Sequence, residues 1–296
     1  MTKLIFGCGY LGERVARRWK NAGHEVIVVT RSSDRAAQFQ RDGYTTIVAD
    51  VTQPDSLRNL PSAETVLYAV GYDRSAGTSG ASIEEVYAGG MQNVLAALPG
   101  GIGRFIYIST TGVYGFRSGE WVDEVTATDP QRSGGQASLD AENALRASPL
   151  ASTGIILRLA GIYGPGRVPF LNELKSGEPI PAHGSGYLNL IHVDDAADVV
   201  VAADAGDSKV APGIGHEPRI YCVSDGNPVE RGEYYSEVAR QIGTAPPRFV
   251  EPDPNSPRAA RAGSSRRISN QRMLAELRVE LAYPDYRAGL AAILSA

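Results

Sequence analysis

The sequence has 296 residues, 43% hydrophobic and 21% charged, with a formal net charge of −4 at pH 7. That balance is ordinary for a globular protein, and the negative charge argues against a nucleic-acid partner. Two cysteines, Cys8 and Cys222, are too few for a disulfide framework or a thiolate metal site, so no metal is expected. No apolar run approaches the roughly 20 residues of a membrane span, and no signal-peptide pattern precedes the first strand. We therefore expect a cytoplasmic protein without a membrane partner.

The first 110 residues alternate between strand and helix patterns. Short apolar runs predict strands, and apolar residues at helical spacing predict helices. The predicted strands are 4–6, 25–30, 45–49, 65–70 and 104–110, and the predicted helices are 11–22, 33–43 and 83–98. This alternation predicts an α/β fold with a Rossmann-type, doubly wound parallel sheet. The apolar stripe of the helix over 83–98 fits either packing on the sheet or a dimer face, so a monomer and a homodimer both stay open.

The second half of the sequence is less regular. It predicts strands over 154–160, 188–193 and 219–224 and helices over 137–147, 194–205 and 231–242. Residues 161–190 are rich in glycine and proline and residues 251–267 in proline and arginine, which predicts loops. We expect a Rossmann domain over residues 1–160, rejoined by a segment of about 188–225. Residues 161–187 and 226–296 are expected to form a smaller, C-terminal substrate-binding lobe.

A glycine-rich turn follows the first predicted strand. Gly7, Gly9 and Gly12 form a G-x-G-x-x-G pattern that leads into an amphipathic helix. Gly7 permits the tight turn, Gly9 lets the backbone approach a pyrophosphate, and Gly12 lets the helix pack close to the strand. The strand before the motif and the helix after it are the context that separates a dinucleotide site from a chance cluster of glycines. The sequence therefore predicts dinucleotide binding, with Tyr10 and Leu11 at the same turn.

The ends of the next predicted strands indicate which dinucleotide is bound. An acidic residue at the end of the second strand would hold the ribose hydroxyls of NAD, but Thr30 stands there and Arg31 follows. A guanidinium in that place favours the 2′-phosphate of NADP, although NAD and a plain surface role for Arg31 stay open. Asp50, with Val51, ends the third strand, where it could border the adenine or begin a turn. The run 69–71, which is Ala69, Val70 and Gly71, ends the fourth strand and should also border the cofactor.

Taken together, the motifs resemble those of the extended short-chain dehydrogenase/reductase superfamily, which contains nucleotide-sugar epimerases and dehydratases. The matching segments run in that superfamily's order: GxGxxG at 7–12, DV at 50–51, GMQN at 90–93, STTGVYG at 109–115, RLAGIYGPG at 158–166 and NLIHVDD at 189–195. The resemblance is greatest to an atypical branch described as NAD-dependent epimerase/dehydratase. It implies that Ser109 lies beside the cofactor and that Thr110 contacts the reacting hydroxyl.

The resemblance also implies a catalytic tyrosine, a lysine four residues later and a glutamate four residues after the lysine. Glu142 matches the glutamate, which puts Ser138 at the lysine position and Gly134 at the tyrosine position. The four lysines of the chain, Lys3, Lys20, Lys175 and Lys209, have no tyrosine four residues before them. In relatives the tyrosine moves the substrate proton, and the lysine lowers its pKa and holds the nicotinamide ribose. Gly134 can do neither.

Further side chains are candidates for contact with a substrate. Tyr114 could donate a proton, and so could Tyr163, but packing is the favoured explanation of both. His192 fits a structural role at a helix start, and His183 is a weak candidate in a loop rich in glycine. The arginines Arg158, Arg266 and Arg267 could bind a phosphorylated substrate, as a basic residue of the late loop does in relatives, or could be salt-bridged at the surface.

Two functional hypotheses follow. The first is an NADP-dependent oxidoreductase, epimerase or dehydratase that acts on a sugar-like or nucleotide-linked small molecule, with Thr110 holding the reacting hydroxyl. The second is a catalytically inactive NADP(H)-binding sensor or regulator, which the absent dyad favours. A sensor must bind NADP and NADPH with different affinities, because a ligand with equal affinity for two states shifts neither.

Overall fold

Short, strongly apolar strands build the central sheet of the protein. The computed structural model describes residues 1–72, 80–115, 117–206, 216–253 and 265–294. Within these residues the central sheet has seven strands, which are β1 (Thr2–Phe6), β2 (Glu25–Thr30), β3 (Thr45–Val48), β4 (Thr65–Tyr68), β5 (Arg104–Thr110), β7 (Gly154–Leu159) and β12 (Arg219–Val223). Their order across the sheet is β12-β7-β5-β4-β1-β2-β3. β1 is parallel to both β2 and β4, β2 is parallel to β3, and β4 is parallel to β5.

The remaining strands are short and form pairs outside the sheet. They are β6 (Ser118–Val122), β8 (Gly161–Tyr163), β9 (Ile180–Pro181), β10 (Tyr187–Leu188), β11 (Leu190–His192), β13 (Val229–Glu230), β14 (Phe249–Val250) and β15 (Ser265–Ile268). β10 pairs antiparallel with β13. The pairs β8/β11, β9/β14 and β6/β15 are parallel.

Helices connect these strands. They are α1 (Gly12–Asn21), α2 (Ser33–Arg41), α3 (Gly90–Ala97), α4 (Ser133–Arg146), α5 (Leu171–Ser176), α6 (Val193–Ala205), α7 (Arg231–Gln241), α8 (Gln271–Leu277) and α9 (Tyr286–Leu294). Short 3-10 turns lie at Pro54–Leu57, Thr111–Tyr114 and Ala151–Thr153, and a π-helical segment covers Glu85–Gly89. The predicted α/β fold with a parallel sheet is confirmed. No helix among the described residues is both long enough and apolar enough to cross a bilayer.

The chain folds into two compact units. Unit 1 comprises Met1–Thr110, Ser133–Arg158 and Ala197–Tyr221, and unit 2 comprises Thr111–Arg132, Leu159–Ala196 and Cys222–Ala296. This division assigns to unit 2 four stretches that had been expected in the Rossmann domain, which are 111–132, 159–160, 188–196 and 222–225. The core of unit 1 lies between the sheet and its helices and includes Leu4, Phe6, Tyr68, Phe105 and Ile156. Unit 2 has its own core, which includes Tyr163, Tyr234 and Tyr286.

Three sequence-based expectations for local structure were wrong. The helix expected over 83–98 is interrupted, because Glu85–Gly89 is π-helical and α3 begins only at Gly90. Residues 161–190, expected as loops, contain β8, α5, β9 and β10 as well. The loop expected over 251–267 ends in β15, whose pairing with β6 overrides the local composition, while residues 254–264 lie outside the described residues. Residues 73–79 of the loop expected after the fourth strand also lie outside them.

Candidate functional site

The glycine turn after β1 is shaped by close contact between backbone segments. Gly7 has a φ of +86°, and a Cβ there would lie 2.4 Å from the carbonyl carbon and oxygen of Ala69. A Cβ on Gly12 would lie 2.5 Å from the Gly7 carbonyl oxygen. Any side chain at either position would therefore separate β1 from β4 or α1 from the turn. These two glycines do what the sequence motif requires of them.

Gly9 differs from the other two, because a Cβ there would have no atom within 4 Å. The residue is exposed, and its amide donates to the Gly7 carbonyl at 3.0 Å. Directly beyond it α1 begins at Gly12 without a side-chain cap, and the amides of Glu13 and Arg14 donate to the Gly9 and Leu11 carbonyls, at 2.9 and 3.0 Å. Open space in front of an uncapped helix N-terminus fits a dinucleotide diphosphate. Tyr10 lies at the same turn, and the Arg14 guanidinium lies 4.5 Å from its ring centroid.

Two arginines follow β2, Arg31 directly after the strand and Arg35 in the first turn of α2. The Thr30 hydroxyl accepts a bond from the Ser32 amide at 3.3 Å, and Arg31 is exposed. Arg35, which the sequence reading did not single out, donates to the Cys8 carbonyl at 3.1 Å and pairs with the Glu13 carboxylate. Arg35 thus lies at the glycine turn itself. The sequence could have indicated Arg35 by its position three residues after Ser32. The Ser32 side chain caps α2 by accepting a bond from the Arg35 amide.

Cys8, within the turn, is a buried neutral thiol. Its pKa is raised to about 12, mainly by burial and in smaller part by the nearby Glu13 carboxylate, while Arg35 opposes both. The thiol is therefore protonated at neutral pH and acts as a small apolar side chain.

The residues after β3 and β4 are held by local bonds. The Asp50 carboxylate accepts bonds from the amide and the hydroxyl of Thr52, at 2.9 and 2.8 Å, which is the pattern of a turn. The carbonyl of Val51 accepts a bond from the Asn93 side chain at 2.9 Å. The Ala69 amide donates to the Phe6 carbonyl at 2.8 Å, which holds the end of β4 against β1. The predicted contacts of Asp50, Val51 and 69–71 with a cofactor remain predictions.

The face of α4 where relatives of the superfamily carry the dyad is built differently here. The Ser138 hydroxyl donates to the Gly134 carbonyl, one turn earlier, at 2.8 Å. A Cβ on Gly134 would meet only the Ile83 Cδ1 atom, at an ordinary 3.5 Å. Packing therefore does not require glycine at 134, and the absence of a larger side chain there has no steric cause.

Glu142, one turn beyond Ser138, is completely buried in a polar network. Its carboxylate accepts bonds from the Ser109 hydroxyl at 2.6 Å and from the Arg158 Nε and Nη2 atoms at 2.9 and 2.7 Å. Arg158, expected as a substrate contact, is buried in this bidentate ion pair. Breaking it to reach a ligand would leave an uncompensated buried charge, which typically costs about 3–5 kcal/mol. Thr110 ends β5 beside Ser109 and is half-buried.

Unit 2 holds the other candidate side chains. The Tyr114 hydroxyl is fully buried, 3.0 Å from the Cys222 Sγ atom. Arg267 donates from Nε to the Gly119 carbonyl at 2.7 Å, and its guanidinium lies 5.1 and 5.3 Å from the ring centroids of Trp121 and Tyr187. Arg267 is therefore held between two aromatic rings.

Arg266, the neighbour of Arg267, is buried and donates from Nη1 to the Gly115 carbonyl at 2.6 Å. Its pKa is lowered to about 10, mainly by burial and in smaller part by the positive charges of Arg132 and Arg117. The His192 ring is buried, and its Nδ1 atom accepts a bond from the Asp194 amide at 3.2 Å, as expected of a structural histidine. His183 is half-buried, with its Nδ1 atom 3.5 Å from a carboxylate oxygen of Glu251.

Comparison with protein families decides where the chain belongs. Residues 4–214, well over half of the chain, match the model of the NAD dependent epimerase/dehydratase family. The chain belongs to the NAD-dependent epimerase/dehydratase family.

Several known proteins resemble the chain over nearly its whole length. Protein YeeZ of Escherichia coli K12 is 28% identical over 287 residues, which cover 95% of this chain and 96% of YeeZ. The 3-diazoavenalumate denitrifying reductase of a Streptomyces species is 26% identical, covering 98% of this chain and 99% of the reductase. A solved structure from Methylobacillus flagellatus, classed with the NAD-dependent epimerase/dehydratases, has 33% identity and a TM-score of 0.79, covering 99% and 97% of the two chains.

Tyr87 is a second residue that the sequence did not indicate as functional. It lies on the π-helical segment Glu85–Gly89. Its hydroxyl accepts a bond at 3.1 Å from the Tyr72 amide, just beyond β4. The apolar pattern over 83–98 predicted one regular helix, so it could not show that the helix changes pitch at this residue. The two consecutive glycines, Gly89 and Gly90, were the sequence feature that could have indicated this change.

Proposed function

We propose that this chain is an NADP(H)-binding oxidoreductase or epimerase that acts on a sugar-like or nucleotide-linked alcohol without a tyrosine–lysine dyad. The observation that carries the proposal is the open space at Gly9 in front of the uncapped start of α1. The family description supports a nicotinamide dinucleotide, and a reductase among the full-length relatives supports redox chemistry.

The preference for NADP over NAD is also part of the proposal. Thr30 offers no carboxylate to the ribose hydroxyls, and its own hydroxyl is used by the Ser32 amide. Arg31 is exposed beside it, and Arg35 adds a second guanidinium at the glycine turn. The Arg31 guanidinium supports recognition of a 2′-phosphate, and Arg35, although paired with the Glu13 carboxylate, adds positive charge nearby.

The chemistry assigned to the chain's own residues is limited. A bound nicotinamide would supply hydride exchange with a substrate carbon. Thr110, at the end of β5, would hold the reacting hydroxyl, and Ser109 would stay fixed through Glu142. The Tyr114 hydroxyl is fully buried against the Cys222 thiol, so water is the simpler proton carrier. In unit 2, Arg267 is held rigidly enough to contact an anionic group of the substrate, whereas Arg158 would first have to leave Glu142.

The test is a panel of nucleotide sugars and simple carbonyl compounds, with NADPH oxidation followed at 340 nm. We expect slow turnover, because acid–base catalysis by a positioned side chain typically contributes about 10²–10⁴-fold. Thr110→Ala should abolish that turnover while NADPH binding, measured by calorimetry, stays unchanged. Turnover that survives Thr110→Ala would remove Thr110 from the mechanism.

A second candidate function is a non-catalytic sensor of NADP(H), favoured by Gly134 and Ser138 at the dyad positions. The same panel discriminates the two. The absence of NADPH oxidation with every substrate, together with clearly different affinities for NADP and NADPH, would support the sensor hypothesis. Equal affinities for the two forms would contradict it.

A further inference from the structure

Three tyrosines of unit 1 converge where β4 and β5 meet the π-helical segment. Tyr68 on β4 and Tyr107 on β5 pack edge to face, with ring centroids 6.0 Å apart. Burial raises the pKa of both, and Tyr87 is one of the nearby groups that raise each of them further. Tyr87 belongs to the π-helical segment Glu85–Gly89, and such segments are frequent at functional sites.

The π-helical segment is held close to the sheet. A Cβ on Gly90 would lie 2.7 Å from the Tyr68 hydroxyl, so only glycine allows this approach. The Gly90 amide donates to the Glu85 carbonyl, five residues back, and the Tyr68 hydroxyl donates to the Val86 carbonyl at 3.3 Å. These bonds fix the wider turn that carries Tyr87.

The same segment packs on the face of α4 that lacks the dyad. The Ile83 Cδ1 atom lies 3.5 Å from the place where Gly134 would carry a Cβ. Both helical segments follow strands of one parallel sheet and cross over in the same direction, so they run parallel on one face. Tyr87 lies about one turn after Ile83, as Ser138 lies one turn after Gly134. Tyr87 is thus level with the position where relatives of the superfamily carry lysine.

Hydrogen bonding distinguishes Tyr87 from the other two tyrosines. The Tyr68 proton goes to the Val86 carbonyl, and the Tyr107 proton goes to the Ser138 carbonyl at 3.5 Å. The Tyr87 hydroxyl instead accepts a bond from the Tyr72 amide, and its own proton has no acceptor within the part of the chain that the structure describes. Tyr87 is half-buried, whereas Tyr68 and Tyr107 are buried. It is the one hydroxyl of these three that can donate to a ligand.

We propose that Tyr87 takes over the ribose-holding task of the missing lysine, with its hydroxyl donating a hydrogen bond to the ribose on the nicotinamide side of bound NADP(H). This rests on the cofactor part of the proposed function. The contact contributes binding and orientation rather than proton transfer. The Tyr72 amide orients the hydroxyl, because it occupies a lone pair and directs the O–H bond elsewhere.

Calorimetric titration of two ligands tests this assignment. NADPH contains the nicotinamide ribose, and adenosine 2′,5′-bisphosphate lacks it. Tyr87→Phe should weaken NADPH binding about 3- to 10-fold, the effect of one hydrogen bond, and leave adenosine 2′,5′-bisphosphate binding unchanged within twofold. Tyr72→Phe is the matched control, since it removes a neighbouring phenol but keeps the backbone amide, and it should bind both ligands like the wild type.

Three other outcomes would contradict the assignment of Tyr87 to the ribose, and each points to a different cause. Unchanged NADPH affinity in Tyr87→Phe would show that the hydroxyl does not contact the cofactor. Equal weakening of both ligands, or a lowered thermal midpoint, would show that Tyr87 only supports the fold around the turn. A wild-type protein that binds neither ligand would instead refute the cofactor proposal on which this one rests.

Discussion

At the scale of single residues, the prediction that the chain binds a dinucleotide depends on glycines, which have no side chain. The roles of Gly7 and Gly12 could be predicted from the sequence, because only glycine allows a left-handed turn or backbone contact at 2.5 Å. Arg35 could not be predicted, since its place at the Cys8 carbonyl depends on how α2 packs beside the turn. The ion pair of Arg158 with Glu142 could not be predicted either, because Glu142 lies on another element of the fold.

Arg31 carries a prediction about cofactor choice. Arg31→Asp should lower NADPH affinity roughly 10- to 100-fold and raise NADH affinity, because a charge-assisted bond to the 2′-phosphate is replaced by repulsion. Calorimetry with both cofactors measures the change. Arg41→Asp, at the far end of α2, makes the same change of charge on an exposed arginine and should leave the preference intact. An unchanged NADPH-to-NADH ratio in Arg31→Asp would remove Arg31 from cofactor recognition.

At the scale of elements, strands with continuous apolar runs could be predicted closely, and β2 and β5 match their expected bounds. Elements that depend on distant partners could not. β15 is a strand only because β6 pairs with it, and the π-helical segment exists because Gly90 lets it contact Tyr68. The tyrosine that we assign to the cofactor lies on such an element, which is why local periodicity did not show it.

The turn between β12 and β13 predicts a pH dependence of stability. The pKa of Asp225 is raised from 3.8 to about 7, mainly by burial and in smaller part by the charges of Asp285 and Asp195, while the bond from the Asn227 amide lowers it. Its Oδ2 atom has no hydrogen-bond partner among the described residues. The folded state therefore binds this proton more tightly than the unfolded state. Stability should fall as pH rises from about 4 to about 7, by at most about 4 kcal/mol from this group.

Thermal midpoints of the wild type and of Asp225→Asn at pH 5 and pH 8 measure this effect. Asparagine keeps the acceptor for the Asn227 amide, at 2.9 Å in the wild type, and carries no charge at either pH. The variant should lose less stability than the wild type between the two pH values. Equal losses would show that Asp225 is not the group responsible.

At the scale of the whole molecule, the two units are interleaved along the chain, since each is built from three segments. Unit 1 contains the glycine turn, the end of β2, the polar network of Glu142 and Tyr87. It therefore carries every residue that we assign to the cofactor. Unit 2 contains Arg267 and Tyr114, and the substrate assignment rests on them more weakly. The order of motifs along the sequence predicted the family and the cofactor-binding half, whereas the substrate depends on loops whose contacts no periodic pattern encodes.

The most direct test of the account is calorimetric titration of NADPH into the wild type and Gly9→Ala. A Cβ on Gly9 meets no protein atom within 4 Å, so the variant should keep the wild-type thermal midpoint. The same Cβ would project into the space assigned to the diphosphate, and NADPH affinity should fall at least about tenfold because close backbone approach is lost. A folded Gly9→Ala protein that binds NADPH as tightly as the wild type would contradict the account.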